Sequence, residues 1–190
     1  MTLFRRPTAI LLALAGLVLA APAARAADAA VIDTRVDLAL SRLFVERPGT
    51  AELAERAVGI LVIPRIVKGG FILGGRYGEG ALRLGVGPDA PLGRTVAYYA
   101  LGGASVGLQV GVQESSQALF FLDRGTLERF RRSNGWTAGV DAEVTLLDRG
   151  ASLGTSSRVA EQPVIAFVFG QDGLLAGASV EGAKYSRIKR

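Results

Sequence analysis

The chain has 190 residues, with 22 Lys and Arg against 17 Asp and Glu, and it contains neither His nor Cys. Without Cys it cannot form disulfides or thiolate metal sites, and without His it lacks the usual base of a catalytic triad. Its stability must come from a hydrophobic core, and the length suits one domain.

Residues 1–26 have the composition of a secretory signal peptide. Two arginines precede an apolar run over residues 9–21, and Ala24 and Ala26 form an A-x-A-like cleavage site. The run is shorter than the roughly 20 residues of a membrane-spanning helix. Removing this segment lowers the formal charge from +5 to +2. We therefore expect a periplasmic or secreted protein, only mildly basic, with no nucleic-acid partner.

Residues 27–49 are predicted to form an N-terminal amphipathic helix that stops at Pro48-Gly49, and a shorter helix follows over residues 51–57. The apolar stripe of the first helix consists of Ile32, Val36, Leu40, Leu43 and Phe44. Such a stripe packs on the core of the domain or lies on a membrane surface. Both interpretations remain open from the sequence.

The segment over residues 59–80, GILVIPRIVKGGFILGGRYGEG, combines a buried strand, cations and seven glycines. Residues 60–63 predict a core strand that ends at Pro64, because proline cannot donate to a sheet ladder. A glycine-rich strand follows over residues 71–77. Arg65, Lys68 and Arg76 accompany these glycines, and Arg83 follows on the next alternating stretch. Cations beside exposed backbone amides can hold an anionic group, although a solvated strand face carries such residues too.

The remainder of the chain is rich in strand patterns. Residues 95–113 alternate for about 60 Å, too far for one strand, and Gly102-Gly103 is the predicted fold-back point. Residues 164–169 are apolar at every position, as in a strand buried on both faces. The other predicted elements are strands over 81–86, 118–122, 140–147, 174–180 and 183–188, a helix over 123–133, and a turn at 171–173.

These elements predict an α+β, mostly antiparallel β fold. We expect a compact, glycine-rich β-sandwich or barrel-like domain with the N-terminal amphipathic helix and one or two short helices. Residues 50–190 would form this domain.

No catalytic or cofactor motif is complete. Residues 103–107, GASVG, match the G-x-S-x-G nucleophile pattern, but the chain has no histidine to serve as base. The glycine-rich segment lacks the Gly-Lys-Ser/Thr of a phosphate loop. Asp141, Glu143 and Asp148 do not have the spacing of a calcium loop. We therefore expect no enzymatic activity, no cofactor and no metal.

Several segments in matching order resemble the SYLF domain, the lipid-binding domain also found in the yeast actin-patch proteins. They are residues 57–80, 98–111 (YYALGGASVGLQVG), 134–136 (NGW), 166–170 (AFVFG) and 177–190. The resemblance implies a largely β domain without enzymatic activity that binds anionic phospholipid. It points to Arg65, Lys68 and Arg76 as lipid contacts, and to the helix that carries Ile32 and Phe44.

The sequence therefore predicts a non-catalytic phospholipid-binding domain that docks on anionic membrane in the bacterial envelope through Arg65, Lys68, Arg76 and Arg83. Actin is not an expected partner, because the predicted signal peptide directs the chain out of the cytoplasm. One alternative is a structural or protein-interaction module of the periplasm with an envelope protein as partner. Another is a small outer-membrane barrel, against which the wholly apolar residues 164–169 argue.

Overall fold

The computed structural model describes residues 28–70, 73–106, 113–147, 162–170, 180 and 182–190. Three helices lie within these residues: α1 (Ala29–Glu46), α2 (Thr50–Arg56) and α3 (Arg124–Arg132). The strands are β1 (Gly59–Gly70), β2 (Leu73–Leu84), β3 (Arg94–Val106), β4 (Gln113–Phe121), β5 (Trp136–Thr137), β6 (Thr145–Leu147), β7 (Val164–Phe169) and β8 (Lys184–Ile188). The predicted signal peptide, the turn at residues 171–173 and all but the last residue of the strand predicted at 174–180 lie outside the described part of the chain.

All eight strands belong to one sheet with the order β5-β8-β3-β2-β1-β4-β7-β6. Every pairing is antiparallel except that between β6 and β7, which is parallel. The predicted α+β, mostly antiparallel fold is confirmed. A single sheet corresponds to the barrel-like form of that prediction and not to a two-sheet sandwich.

The sheet is buried on both faces, because successive side chains of a strand point to opposite sides. In β1, Ile60 and Val62 join the cluster that α1 covers. Leu61 and Ile63 join the other cluster, which includes Leu127 and Phe130 of α3. We call these sides the α1 face and the α3 face. The helices α1 and α3 therefore lie on opposite sides of one sheet.

The sheet curls strongly around its α3 face. Trp136 on β5 lies five strand positions from Phe121 on β4 in the sheet order, which would separate them by about 24 Å in a flat sheet. Their ring centroids are 6.2 Å apart. The Tyr185 hydroxyl of β8 likewise donates to Oε1 of Gln117 on β4 at 2.8 Å. The concave side is thus filled by aromatic rings and closed by one buried polar pair.

Three strand boundaries differ from the predicted ones. β1 does not end at Pro64 but continues to Gly70 through a bulge. The Ser116 hydroxyl donates to the Pro64 carbonyl there at 2.8 Å, so the irregular backbone keeps a partner. β3 runs unbroken through Gly102-Gly103 to Val106, so the fold-back predicted at these glycines does not occur there. Of the strand predicted at residues 140–147, only Thr145–Leu147 forms.

The helices and the buried strand match their patterns. α1 spans nearly the whole predicted range, and Asp123 caps α3 by accepting from the Thr126 amide at 2.6 Å. β7 is buried at all six positions. Within the residues described, no helix is both long and apolar enough to cross a membrane.

Candidate functional site

Arg83 is separated from the other predicted lipid contacts. It lies seven residues along β2 from Arg76, a distance of about 23 Å in a strand. Its guanidinium turns to the α1 face, with NH2 2.7 Å from Oδ1 of Asp37 and 3.2 Å from the Asp33 carbonyl. Its side chain is only 7% exposed. In this position Arg83 holds α1 on the sheet and faces no open surface.

Asp33 completes this attachment of α1. Its Oδ1 accepts from the Thr95 hydroxyl at 2.7 Å, and its Oδ2 accepts from the Tyr98 hydroxyl at 2.8 Å. Burial and the hydrogen bond to Asp33 raise the pKa of Tyr98. One turn of α1 is therefore bound to β2 and β3 by four hydrogen bonds in addition to the apolar packing.

Lys68 and Arg76 are brought together by the strand register. They are Cα partners across β1 and β2, so their side chains leave the sheet on the same side. Arg76 lies against Gly103, where an added Cβ would be 2.8 Å from Arg76 Nε. Its charge lowers the pKa of Tyr185, although burial raises that pKa more. Lys68 has no hydrogen bond or ion pair with any residue in the described ranges.

Arg65 is exposed on the other side of β1, toward α1, because the bulge around Pro64 shifts the alternation. It forms an ion pair with Glu114 of β4. The hydrogen bond between them lowers the pKa of Glu114 and raises that of Arg65. The four predicted cations thus occupy three places: Arg65 outside, Lys68 with Arg76 on the concave side, and Arg83 under α1.

The predicted apolar stripe of α1 faces the core. Ile32, Val36, Leu40 and Leu43 are at most 2% exposed and pack on the sheet. Phe44 is half-buried against the same cluster. Packing on the core, one of the two interpretations of this stripe, is what the structure shows. A membrane cannot reach these side chains while α1 stays on the sheet.

The outward side of α1 carries a second, exposed stripe that the sequence reasoning missed. Val31, Leu38 and Val45 are spaced by seven residues and are 42%, 67% and 83% exposed. Arg35 and Arg42 lie between them at intervals of three and four, which places all five on one side of a helix. The spacing is visible in the sequence, but the larger residues Ile32, Leu40 and Phe44 dominate the pattern.

A groove runs between this side of α1 and the bulge of β1. Its volume is about 360 Å³. Three guanidinium groups converge on it, from Arg35, Arg42 and Arg65. Its remaining lining consists of Leu38, Ala39, Pro64, Glu114, Ser115, Ser116 and Gly170. We call it the arginine groove.

The charge of the arginine groove is positive. Arg42 pairs with Glu46 and Arg65 with Glu114, while Arg35 has no ion pair within the described residues. Arginine binds phosphate and carboxylate oxygens through two parallel hydrogen bonds. The groove can therefore hold a small anionic group, with the exposed Leu38 at its rim. No cluster of three or more carboxylates that could hold a metal occurs among the residues described.

The fold is thus an α+β domain in which one curled sheet separates two helical layers and a cationic groove opens beside the first helix. Residues 102–189 match the family model Ysc84, described as "Las17-binding protein actin regulator". This match confirms the resemblance to the SYLF family over residues 102–189. No curated protein matches the chain.

The matched region and the sheet do not have the same limits. β1 and β2 precede residue 102, yet they form the centre of the sheet, between β3 and β4. The arginine groove also crosses this limit, since Arg35, Arg42 and Arg65 come before it and Glu114, Ser116 and Gly170 after it. The first strands and α1 are therefore physically part of the structure that carries the groove.

Proposed function

We propose that this protein is a non-catalytic module that docks reversibly on anionic phospholipid in the bacterial envelope. The observation that carries the proposal is the convergence of Arg35, Arg42 and Arg65 on one open groove beside an exposed leucine. The match of residues 102–189 to the SYLF family supports it, because that resemblance implies binding to anionic lipid.

The groove suits a lipid headgroup at a membrane surface. The phosphate of a headgroup can replace Glu114 as the partner of Arg65, since that ion pair is exposed and therefore weak. Leu38 projects beside the same groove and can enter the interfacial region of the bilayer. Lys68 and Arg76 leave the sheet on the concave side and do not line the groove. Arg83 is not part of this surface.

The location follows from the predicted signal peptide, which would direct the chain to the periplasm or outside the cell. The family description names an actin regulator and a Las17-binding protein. We do not extend actin to this chain as a partner, because that location would separate the two. Anionic phospholipids would be within reach of the chain at that location.

Flotation with vesicles tests the proposal. The protein without residues 1–26 should float with vesicles of phosphatidylglycerol and phosphatidylcholine at low salt, and much less at high salt or with phosphatidylcholine alone. Replacing Arg35 and Arg42 by Gln should weaken binding about 30-fold, since each cation near an anionic leaflet contributes about 1 kcal/mol.

Arg94→Glu is the matched control, because it lowers the net charge by the same two units at an exposed position distant from the groove. It should bind nearly as well as the unmodified protein. Equal losses in R94E and R35Q/R42Q would mean that net charge, not the groove, determines binding. Failure of the unmodified protein to float at low salt would refute the proposal itself.

A protein-interaction role is the second candidate, and one observation favours it. The heptad spacing of exposed Val31, Leu38 and Val45 is the pattern by which a helix packs on another helix. Binding of such a partner would depend on Val31 and Val45 and change little with salt. Membrane docking would depend on the arginines and weaken as the salt concentration rises. If the protein does not bind anionic vesicles at low salt, the protein-interaction role remains as the candidate function.

A further inference from the structure

A second basic surface lies on the side of the sheet opposite the arginine groove. Its arginines are exposed, and four of them come from the nine residues of α3. They are Arg124, Arg129, Arg131, Arg132 and, from β8, Arg187. We call this group the α3 surface.

Arg187 belongs to this surface because of the strand register. It is the Cα partner of Tyr99 across β3 and β8, so both side chains leave the sheet on the α3 face. The Tyr99 ring packs on Phe130 of α3 with centroids 4.6 Å apart. Arg187 therefore lies beside α3 and extends the row of arginines onto the sheet edge.

The positive charge of the α3 surface is only partly compensated. Glu128 pairs with Arg131 at 3.0 Å and with Arg132 at 3.9 Å. Asp123 is occupied as the helix cap, where Oδ2 accepts from the amide and the hydroxyl of Thr126. Five arginines thus face two carboxylates. Arg124 and Arg187 have no hydrogen bond or ion pair within the described ranges.

The two basic surfaces cannot touch the same flat membrane. α1 and α3 cover opposite faces of one sheet, and the arginines of each helix project away from it. Two helices of about 10 Å diameter with a sheet layer of similar thickness between them place the outer surfaces roughly 30 Å apart. An anionic bilayer in contact with the arginine groove leaves the α3 surface facing solvent.

We propose that the α3 surface is a second docking site for an anionic phospholipid bilayer, so that one molecule bridges two membranes. Five arginines on one exposed helix and the adjoining strand are complementary to a leaflet of negative charge. Bridging uses the proposed docking through the arginine groove for the first contact, and adds a second contact of the same chemistry on the far side.

Dynamic light scattering of anionic vesicles tests this bridging. At intermediate ratios of protein to lipid the unmodified protein should cluster the vesicles. At a large excess of protein the clusters should disperse, because each vesicle is then covered by its own protein molecules and no free membrane remains for a second contact. R131Q/R132Q should still float with vesicles, while the protein concentration needed for clustering rises about 10-fold or more.

Two matched variants separate charge at this surface from net charge. R131K/R132K keeps the charge and should cluster vesicles. R56E loses the same charge as R131Q/R132Q on α2, which packs on the α1 face outside the groove lining, and should also cluster them. R124Q/R187Q is an independent test on two unpaired arginines and should reduce clustering without lowering the flotation. Sedimentation at the assay concentration and circular dichroism confirm that each variant is a folded monomer.

The outcomes distinguish the two proposals. Bridging is overturned if the unmodified protein floats without clustering vesicles. It is also overturned if R131Q/R132Q clusters them as well as the unmodified protein does. Neither result contradicts docking through the arginine groove. A protein that neither floats nor clusters overturns both. Clustering by a protein that sediments as a dimer, unchanged in R131Q/R132Q, assigns the second contact to a second copy of the chain and likewise overturns bridging by one molecule.

Discussion

At the scale of single residues, the same side chain type serves different roles according to the face on which it lies. Arg65 and Arg83 are both strand arginines in the basic segment, and nothing in their immediate neighbours distinguishes them. Arg65 is exposed beside the groove, whereas Arg83 is buried under α1 with two carboxylates. A buried cation of this kind contributes to folding and not to the binding of a membrane.

Replacing Arg83 by Gln should lower the free energy of unfolding by about 2 kcal/mol, because hydrogen bonds between charged groups under α1 are lost. The folded variant should bind anionic vesicles as the unmodified protein does. Arg65→Gln should show the reverse: little change in stability, since its pair is exposed, and weaker flotation. Urea denaturation and flotation of both variants measure this. Weak binding by folded R83Q would place Arg83 on the docking surface after all.

At the scale of elements, periodic patterns were predictable and register was not. The boundaries of α1 and α3 follow from apolar spacing and caps, and β7 follows from an unbroken apolar run. The bulge at Pro64 and the unbroken course of β3 through Gly102-Gly103 depend on which strands pair, which local sequence does not encode. The arginine groove was missed for the same reason: Arg35 and Arg42 meet Arg65 only when α1 packs on the sheet.

The bulge also requires glycine at one position of β2. Ile63 and Pro64 of β1 together face a single residue of β2, Gly80. A Cβ at Gly80 would lie 1.9 Å from the Val62 carbonyl oxygen, which is part of the backbone and cannot turn aside. β1 and β2 can approach closely here only because this position has no side chain.

Gly80→Ala should therefore destabilise the protein by at least about 3 kcal/mol or prevent folding, because the strands must separate at the centre of the sheet. Gly102→Ala is the control. That glycine is also in a strand but has nothing within 4 Å of an added Cβ, so the change should be neutral or stabilise by about 0.5 kcal/mol. Thermal and urea denaturation measure both. Equal stability of the two variants would show that the strands are not this close at the bulge.

At the scale of the whole molecule, the curl of the sheet buries groups from distant strands together. Tyr185 on β8 is 1% exposed and reaches Gln117 on β4, four strand positions away. Tyr99 and Trp136 lie in the same concave core. A flat sheet with the same pairings would leave these rings in water. The ionisation of the tyrosines therefore reports on the curl.

All four tyrosines of the chain have a raised pKa. Burial is the largest cause in each, and for Tyr77, with a further contribution from Glu79, the pKa is raised to about 12. An unfolded tyrosine ionises near pH 10, about the ordinary value. Above about pH 10 the folded protein thus retains tyrosine protons that the unfolded chain has lost. The contribution of the tyrosines to the free energy of unfolding is therefore complete below about pH 10 and decreases as the pH rises further.

The native protein should accordingly show less phenolate absorbance at about pH 10 than an unfolded chain, in which half the tyrosines are ionised. Its urea midpoint should fall between about pH 9 and pH 11 as the unfolded state gains stability. Tyr77→Phe is the control, since Tyr77 is the most exposed of the four. The buried tyrosines of this variant should contribute little phenolate absorbance. A phenolate signal at about pH 10 in folded Y77F as large as that of its unfolded chain would mean that Tyr99 and Tyr185 are open to solvent. The sheet would then be flatter than the 6.2 Å contact between Trp136 and Phe121 requires.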